Sequence, residues 1–367
     1  MRLLLICNTA PHYRSAIFQM MDRELGCDFV FGDKVLDIKK MDYSTLTHKV
    51  TEVHNLKLKS FYYQKGVLRF LHPDYDKYII TGDARCLSTW MFLVSSLFHP
   101  RKKVYLWSHG WLKKKKGIDK LISKLFFGLA NGAFIYNNRS RLLMTEGGIK
   151  ASKLFTVYNS LDYDTQLAIR SDLHDSDVYL DHFGNKNKTI VFIGRLTEVK
   201  RLDLLLEAVA LLRNQGSYYN VVLVGNGECR DFLVEKADEL GLQNTVWFYG
   251  ASYDEKKNAE LLYNADLCVS PGNIGLTAIH SMMFGCPCIT NDDFDRQMPE
   301  FEAVQDGVTG AFFKSGEANA LADAIELWFN LHKNDRDKVR KNCYNEVDNR
   351  WNLHRQIEIM KKLLLEG

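Results

Sequence analysis

Fixed cations beside glycine turns are the chemistry most open to reading in this chain. Residues 190–203 read IVFIGRLTEVKRLD. The apolar run suits a buried strand, Gly194 suits a turn, and a helix start follows. Arg195 leaves the strand end and Lys200 stands at the helix entrance. Two such cations suit a pyrophosphate, because each charge-assisted hydrogen bond contributes about 1.5–3 kcal/mol. Residues 221–229, VVLVGNGEC, place Gly225, Asn226 and Gly227 after a second strand. Glycines there let a ligand approach the backbone and leave a helix N-terminus open to an anion. Residues 270–280, SPGNIGLTAIH, form a third such element. Gly272, Asn273, Ile274 and Gly275 make its loop, and Leu276 and Thr277 open a helix whose N–H groups can hold a phosphate. His280 lies in the first turns of that helix. Taken singly, a cation pair near a turn, a Gly-x-Gly and a helix histidine all occur as ordinary structure.

The first half offers further strand-end groups. Asn8, His12 and Arg14 follow the first strand in the run NTAPHYR. His12 or Arg14 is expected on a phosphate or on an acceptor. Trp107, Trp111, Asn137 and Asn138 also fall at strand ends. Trp111 can stack on a sugar or pack in a core, and both readings stay open. No metal site is expected: Cys286 and Cys288 lack a second pair or a histidine at zinc spacing, and Asn291-Asp292-Asp293 reads as a loop. The eight cysteines are scattered and are expected as reduced thiols in a cytoplasm.

Short β-rich runs alternate with helical patterns, which predicts α/β architecture with parallel sheets covered on both faces. First-half strands are expected at 2–7, 28–31, 78–81, 104–108, 133–136 and 154–158, with helices at 15–25 and 118–129. Second-half strands are expected at 189–193, 219–224, 246–249, 267–270 and 288–290. The helices between them are expected at 202–215, 228–240, 254–265 and 275–284. Residues 172–188 carry four Asp, two His and GNKNK, a loop-like composition. The boundary is placed there: an acceptor-side domain at 1–170, a nucleotide-sugar domain at 171–350, and a final helix, about 351–367, packing back on the first. Two doubly wound sheets would face each other across a cleft lined by strand ends.

The order of these elements resembles the family 4 retaining glycosyltransferases of the GT-B fold. The motifs run from YNSLD at 158–162, through Gly194-Arg195 with Lys200, Gly225-x-Gly227 and Tyr249-Gly250, to EAVQDGVTG at 302–310. They cover the second half nearly completely and the first loosely. The resemblance implies a nucleoside diphosphate sugar, UDP- or GDP-linked, as substrate, with no cofactor and no metal. It places Arg195 and Lys200 on the diphosphate, Gly250 near the base, and His109 of Ser108-His109-Gly110 facing the donor sugar. Glu302 matches a family carboxylate, with Glu300 beside it. The chain departs from the family at two glutamates eight positions apart, where it has Gly272 and His280. Asn273 or the loop backbone would then hold the sugar, and His280 a ribose hydroxyl. The implied activity is retaining transfer to a glycan or lipid-linked acceptor in surface polysaccharide biosynthesis. A nucleotide-sugar epimerase and a non-catalytic nucleotide-sugar-binding protein are the competing readings.

With 367 residues, 46% hydrophobic and 25% charged, the chain suits two globular domains and not a disordered or fibrous class. Net charge is +3, unevenly placed: residues 1–160 hold 26 Lys+Arg against 12 Asp+Glu, and the remainder 22 against 33. The basic half is expected to meet an anionic surface. Residues 111–127, WLKKKKGIDKLISKLFF, focus that charge before an amphipathic pattern at Ile118, Leu121, Ile122, Leu125 and Phe126. A monomer is expected, cytoplasmic and peripheral at the inner face of the plasma membrane. Nucleic acid is not expected, since the basic residues follow no nucleic-acid-binding module. A dinucleotide dehydrogenase is not expected, since residues 8–14 lack a glycine fingerprint.

Overall fold

The computed structural model describes residues 2–33, 39–71 and 74–365. The chain divides into two compact units, Met1–Asp162 with Asn352–Gly367, and Tyr163–Trp351.

The first unit is built on a parallel seven-stranded sheet. Its strands are β1 (Leu3–Cys7), β2 (Cys27–Gly32), β3 (Val50–Val53), β6 (Lys77–Thr81), β7 (Lys103–Ser108), β8 (Gly132–Ile135) and β9 (Leu154–Thr156), in spatial order β3-β2-β1-β6-β7-β8-β9. An antiparallel hairpin, β4 (Asn55–Leu58) with β5 (Phe61–Gln64), lies outside it. Strands buried on both faces read as continuous apolar runs, as LLLIC does in β1, where every residue is buried. The helices are α1 (Ser15–Leu25), α2 (Leu87–Phe98), α3 (Gly117–Leu129) and α4 (Asn138–Glu146).

The second unit repeats the plan with six parallel strands. They are β10 (Lys188–Ile193), β11 (Tyr219–Val224), β12 (Val246–Gly250), β13 (Leu267–Ser270), β14 (Cys288–Asn291) and β15 (Gly310–Phe313), in the order β12-β11-β10-β13-β14-β15. The helices are α5 (Tyr163–Ser171), α6 (Val178–Phe183), α7 (Leu202–Asn214), α8 (Arg230–Glu239), α9 (Glu255–Asn264), α10 (Leu276–Met283), α11 (Ala318–Leu331) and α12 (Arg336–Asn349). The last helix, α13 (Leu353–Leu365), groups with the first unit.

The division falls at 162/163 and not at 170/171. Helix α5 packs with the second unit: Gln166 donates to Glu255 at 2.7 Å, and Arg170 grips both oxygens of Asp348 at 3.1 and 2.9 Å. The polar stretch 172–188, expected as a loop, contains α6. Tyr179 donates to the Leu261 carbonyl at 2.5 Å, and His182 stacks on Trp247 at 3.8 Å, so a few side chains anchor an otherwise polar segment. The YNSLD run joins α13 to the first unit, with Ser160 donating to Gln356 at 2.6 Å and Gln356 donating to the Tyr158 carbonyl at 2.8 Å.

In each sheet the winding reverses beside the first strand of the unit, between β1 and β6 and between β10 and β13. Loops leaving the carboxyl ends of strands flanking such a reversal are where doubly wound folds bind ligands. Those loops are 8–14 in the first unit, and 194–200 and 271–275 in the second.

Candidate functional site

In the second unit the loop after β10 meets the loop after β13. Gly272 and Asn273 donate their backbone N–H groups to the carbonyls of Lys200 (2.8 Å) and Val199 (3.1 Å). From the other direction, Lys200 Nζ donates to the Asn273 carbonyl at 2.7 Å and to its side-chain oxygen at 2.9 Å. Burial and the neighbouring Arg195 charge push the Lys200 pKa down to about 8, with Glu300 opposing. Arg195 itself is exposed. Among the described residues, neither cation has a carboxylate at ion-pair distance. Two positive groups held close together, one half-buried, form a site complementary to a polyanion.

At position 272, where the resemblance leads one to expect a glutamate, the structure leaves no room for a side chain. A Cβ on Gly272 would stand 1.9 Å from the Val199 carbonyl oxygen and 2.7 Å from the Lys200 carbonyl carbon. No side chain fits there while the two loops stay paired. The pairing is braced by side chains that sequence reasoning did not single out. Asn291, read as part of a solvated acidic loop, is buried and donates to the carbonyls of Pro271 (2.7 Å) and Gly272 (2.8 Å). Buried Gln297 accepts from the Ile274 N–H at 2.7 Å and donates to Thr290 and to the Asn291 carbonyl. The N–H groups of residues 272–274 are therefore taken up within the protein, so three donors of the loop backbone expected at the sugar are already engaged. At the start of α10, Thr277 donates its hydroxyl to the Ile193 carbonyl at 2.8 Å and Leu276 is half-buried. Gly275 completes the turn into that helix.

Gly225 and Gly227 have a packing role that the sequence does not announce. Added Cβ atoms would lie 1.8 Å from the Gly194 carbonyl oxygen and 2.3 Å from the Leu196 carbonyl oxygen. These glycines admit a neighbouring main chain. The loops are stitched by Gly194 N to Val224 O, Leu196 N to Asn226 O and Cys229 N to Leu196 O, at 2.9–3.0 Å. Asn226 accepts from the Gly227 N–H at 2.9 Å. At the end of β12, Tyr249 lies 4.9 Å from the Trp247 ring, and the Gly250 carbonyl accepts from Gly225 N.

His280 faces Glu255, at 2.9 Å from Nε2 to the carboxylate oxygen. Burial alone would raise the Glu255 pKa. The His280 charge and hydrogen bonds from His280 and Gln166 outweigh it and hold the carboxyl below its ordinary value. Glu300 is buried close enough to act on Lys200, whereas half-buried Glu302 acts on Glu346. Nothing in sequence spacing marks Glu255, Gln166 or Gln297, because each reaches its target from another element.

The first unit gathers a second cationic group. Arg14 lies over the Trp107 ring at 4.1 Å from its centroid and donates to the Tyr136 hydroxyl at 2.6 Å. Burial would lower its pKa, but Tyr136, Cys7 and Tyr13 raise it, so the charge is retained. His109 follows β7, its ring 5.0 Å from that of Tyr136. Its pKa falls to about 4, through desolvation and then the Arg14 charge. The residue as a whole is exposed, so solvent weakens the first cause and Arg14 is the one a substitution can test. Arg14 and His109 thus come together.

Three expected acceptor-side residues do not join them. Trp111 is 2% exposed, donates to Ser123 at 2.6 Å and fills the space beside Gly147, whose added Cβ would strike the ring at 2.2 Å. It is core and cannot stack on a sugar. Asn137 is buried and caps α4 by accepting from the Ser140 N–H at 2.8 Å. Asn8 is tied through its carbonyl to Asn55 at 2.9 Å and through its N–H to Thr81 at 3.3 Å. His12 remains exposed, its ring beside the Lys39 carbonyl at 3.3 Å.

Residues 181–346 match the family model for glycosyl transferases group 1. D-inositol 3-phosphate glycosyltransferases of Mycobacterium bovis (strain BCG / Pasteur 1173P2) and Mycobacterium tuberculosis (strain ATCC 25618 / H37Rv) are each 30% identical over 156 residues, 41% of this chain and 32% of theirs. The match thus spans about a third of the length of these curated relatives. Among solved structures, Anabaena Alr3699/HepE in complex with UDP superposes with a TM-score of 0.71 at 17% identity, covering 100% of both chains. The apo form of the lipopolysaccharide outer core galactosyltransferase WaaB gives 0.71 at 14% identity, also over 100% of both chains. At these identities the likeness is one of fold. The chain has the GT-B glycosyltransferase fold, and the span that builds the Arg195–Lys200–Asn273 cluster lies within its match to the glycosyl transferases group 1.

Proposed function

We propose that this protein transfers a sugar from a UDP- or GDP-sugar to a glycan or lipid-linked acceptor, with retention at the anomeric carbon and without a metal, in surface polysaccharide biosynthesis. The observation that carries the reading is the Lys200–Asn273 clasp beside Arg195, at the sheet reversal within the family-matched span. The Anabaena structure that shares the fold holds UDP, which supports a uridine donor. In the proposed step the acceptor oxygen forms a bond to the anomeric carbon on the face from which the diphosphate leaves. The bond from that carbon to the phosphate oxygen breaks, and the departing diphosphate takes the acceptor's proton. Arg195 and Lys200 neutralise the negative charge that develops on the leaving group, a role worth about 10²–10³ in rate per donor. His109 and Arg14 serve the sugar and acceptor side.

A second reading, nucleotide-sugar binding without turnover, is favoured by one observation: no carboxylate can stand at position 272. Thermal shift with a panel of UDP-, GDP-, dTDP- and CMP-sugars tests both. Ligand at 100 times its dissociation constant adds about 2.7 kcal/mol of stability. Binding with release of free nucleoside diphosphate in the presence of acceptor supports transfer. Binding without release supports the second reading, and no binding by any donor removes both.

A further inference from the structure

Helix α3 turns Ser123, Phe126 and Phe127 into the first unit. Its other side is apolar and open: Ile118, Leu121, Ile122 and Leu125 are all exposed, Ile118 by 75%. Steps of three and four residues place these four on one stripe. Only Phe126, of the amphipathic pattern seen in the sequence, packs inward. Helix α2 has the same construction. Ser88, Thr89, Phe92 and Leu93 are buried, while Met91, Val94, Leu97 and Phe98 are exposed, Phe98 by 76%. The two helices are neighbours, with the Trp90 and Phe126 rings 5.0 Å apart. Single exposed apolar residues are normal on a protein surface, but two adjoining stripes mark an interaction surface.

The surroundings decide what covers it. Exposed Lys113, Lys114 and Lys116 lead into α3, Lys120 and Lys124 are exposed on it, and exposed Arg101 follows α2. A second copy docking through the same patch would bring these cations against their own equivalents, since a two-fold contact is self-complementary in position. An anionic lipid surface meets both features at once. The helices, 12 and 13 residues long, are short of the ~20 needed to cross a bilayer. Among the described residues no helix is long and apolar enough to cross one. Their geometry is that of helices lying in the interfacial plane.

We propose that α2 and α3 together form a docking face that inserts its two apolar stripes into the headgroup–acyl boundary of an anionic bilayer, with the flanking lysines on the headgroups. This deepens the proposed function by placing a lipid-linked acceptor at the same surface, and rests on that reading only for the acceptor.

The test is co-sedimentation of the full chain with phosphatidylcholine vesicles containing or lacking phosphatidylglycerol, together with fluorescence of a Phe98→Trp variant in vesicles of brominated lipid. Binding to the anionic vesicles is expected, with quenching of the introduced indole beyond that seen in the unsubstituted chain. Leu97→Ser/Phe98→Ser leaves net charge unchanged and is expected to reduce partitioning by about tenfold or more. Ile118→Ser/Leu121→Ser is expected to do the same, and Lys113→Gln/Lys116→Gln to lower binding at low salt by on the order of fivefold per lysine. Equal binding to neutral vesicles, no added quenching, or partitioning unchanged in both serine variants overturns the proposal. So does concentration-dependent dimerisation abolished by the same serine substitutions. Donor thermal shift, run on every variant, reports folding and separates the two readings. Absence of vesicle binding by the unsubstituted chain with its donor binding intact defeats the docking face alone, and vesicle binding by that chain without any donor binding defeats the transferase reading alone.

Discussion

Lys200 is clasped by Asn273 through two oxygens of one residue, the main-chain carbonyl at 2.7 Å and the side-chain oxygen at 2.9 Å. The residue before Asn273 is Gly272, where the family resemblance leads one to expect a glutamate. The loop that cannot carry that carboxylate instead aims the lysine. Electrostatic work that a carboxylate would complicate is left to two cations with no carboxylate at ion-pair distance among the described residues.

Replacing either cation is expected to be costly. Arg195→Ala and Lys200→Ala should each lower kcat by about 10²–10³, because each removes a donor to developing charge. Asn273→Ala should raise KM and lower kcat less, since it loosens the lysine without removing it. Initial rates on purified variants with unchanged circular dichroism check this. Near-normal rates in both cation variants would exclude the site.

The depressed Lys200 pKa sets a pH limit. The lysine works protonated, so kcat/KM should fall as pH rises through about 8. A bound diphosphate favours the charged form, so the limb in kcat should lie at higher pH. Lys200→Arg should remove the limb, because a guanidinium stays charged. The linkage to stability has the opposite sense. A folded-state pKa below the ordinary 10.5 means the fold disfavours the proton. This penalty is full below about 8 and is relieved as pH rises toward 10.5, and Lys200→Met should remove it. An alkaline limb that survives in Lys200→Arg assigns it to another group.

Restoring the family's glutamates should fail at both positions. Gly272→Glu forces a Cβ to within 1.9 Å of the Val199 carbonyl oxygen. Overpacking of this kind costs about 1–3 kcal/mol, which in a unit of this size lowers Tm by roughly 2–12 °C. His280→Glu sets a second carboxylate against half-buried Glu255 and should also destabilise, whereas His280→Gln keeps a donor and should not. Thermal melts decide the matter. A Gly272→Glu protein as stable as the wild type would show that the 198–200 and 271–273 loops do not pair as described.

The sheets were legible because parallel strands buried on both faces are continuous apolar runs, as in Ile190–Ile193 and Val221–Val224. The strand at 50–53 and the 55–64 hairpin were not, because VTEV and NLKL leave most of their side chains partly or fully exposed. Spacing placed Lys200 beyond a strand end at a helix entrance, and the structure sets it against Asn273 of the 271–275 loop. Spacing is silent where one residue type serves two ends. A glycine that admits a ligand and one that admits a neighbouring carbonyl look alike in sequence, so the close approach of the Gly194 and Leu196 carbonyls to Gly225 and Gly227 was not legible there. A strand-end tryptophan likewise does not announce whether its ring faces a sugar or, as Trp111 does, the core.

Turnover is expected to survive metal removal. Among the described residues no group of three or more His, Cys, Asp or Glu side chains is arranged to hold a metal ion. The proposed charge stabilisation comes from Arg195 and Lys200, so a large excess of EDTA should change the initial rate by less than about twofold. Loss of activity restored by Mg²⁺ or Mn²⁺ would transfer the leaving-group role to a cation.

His109 should act as a neutral imidazole. Its pKa near 4, against an ordinary 6.5, leaves it uncharged across pH 5–8. Desolvation is the first cause and the Arg14 guanidinium the second, and the second is the one that substitution can test. For a histidine whose folded pKa is depressed, stability is lost as pH falls from about 6.5 toward 4, because the unfolded chain takes up the proton first. In the active protein the titration of His109 should therefore leave kcat/KM flat between about pH 6 and 7.5. His109→Ala should cost about 10²-fold in rate by removing a fixed hydrogen-bonding group, with His109→Gln recovering part of it. Arg14→Gln, which keeps a donor for Tyr136 but loses the charge, should move the His109 titration up toward 6.5 and create an acid limb in the rate profile. NMR titration of the imidazole Cε1 proton in both proteins reads this directly. A wild-type midpoint already at the ordinary 6.5, unmoved by Arg14→Gln, would mean that Arg14 exerts no hold on His109.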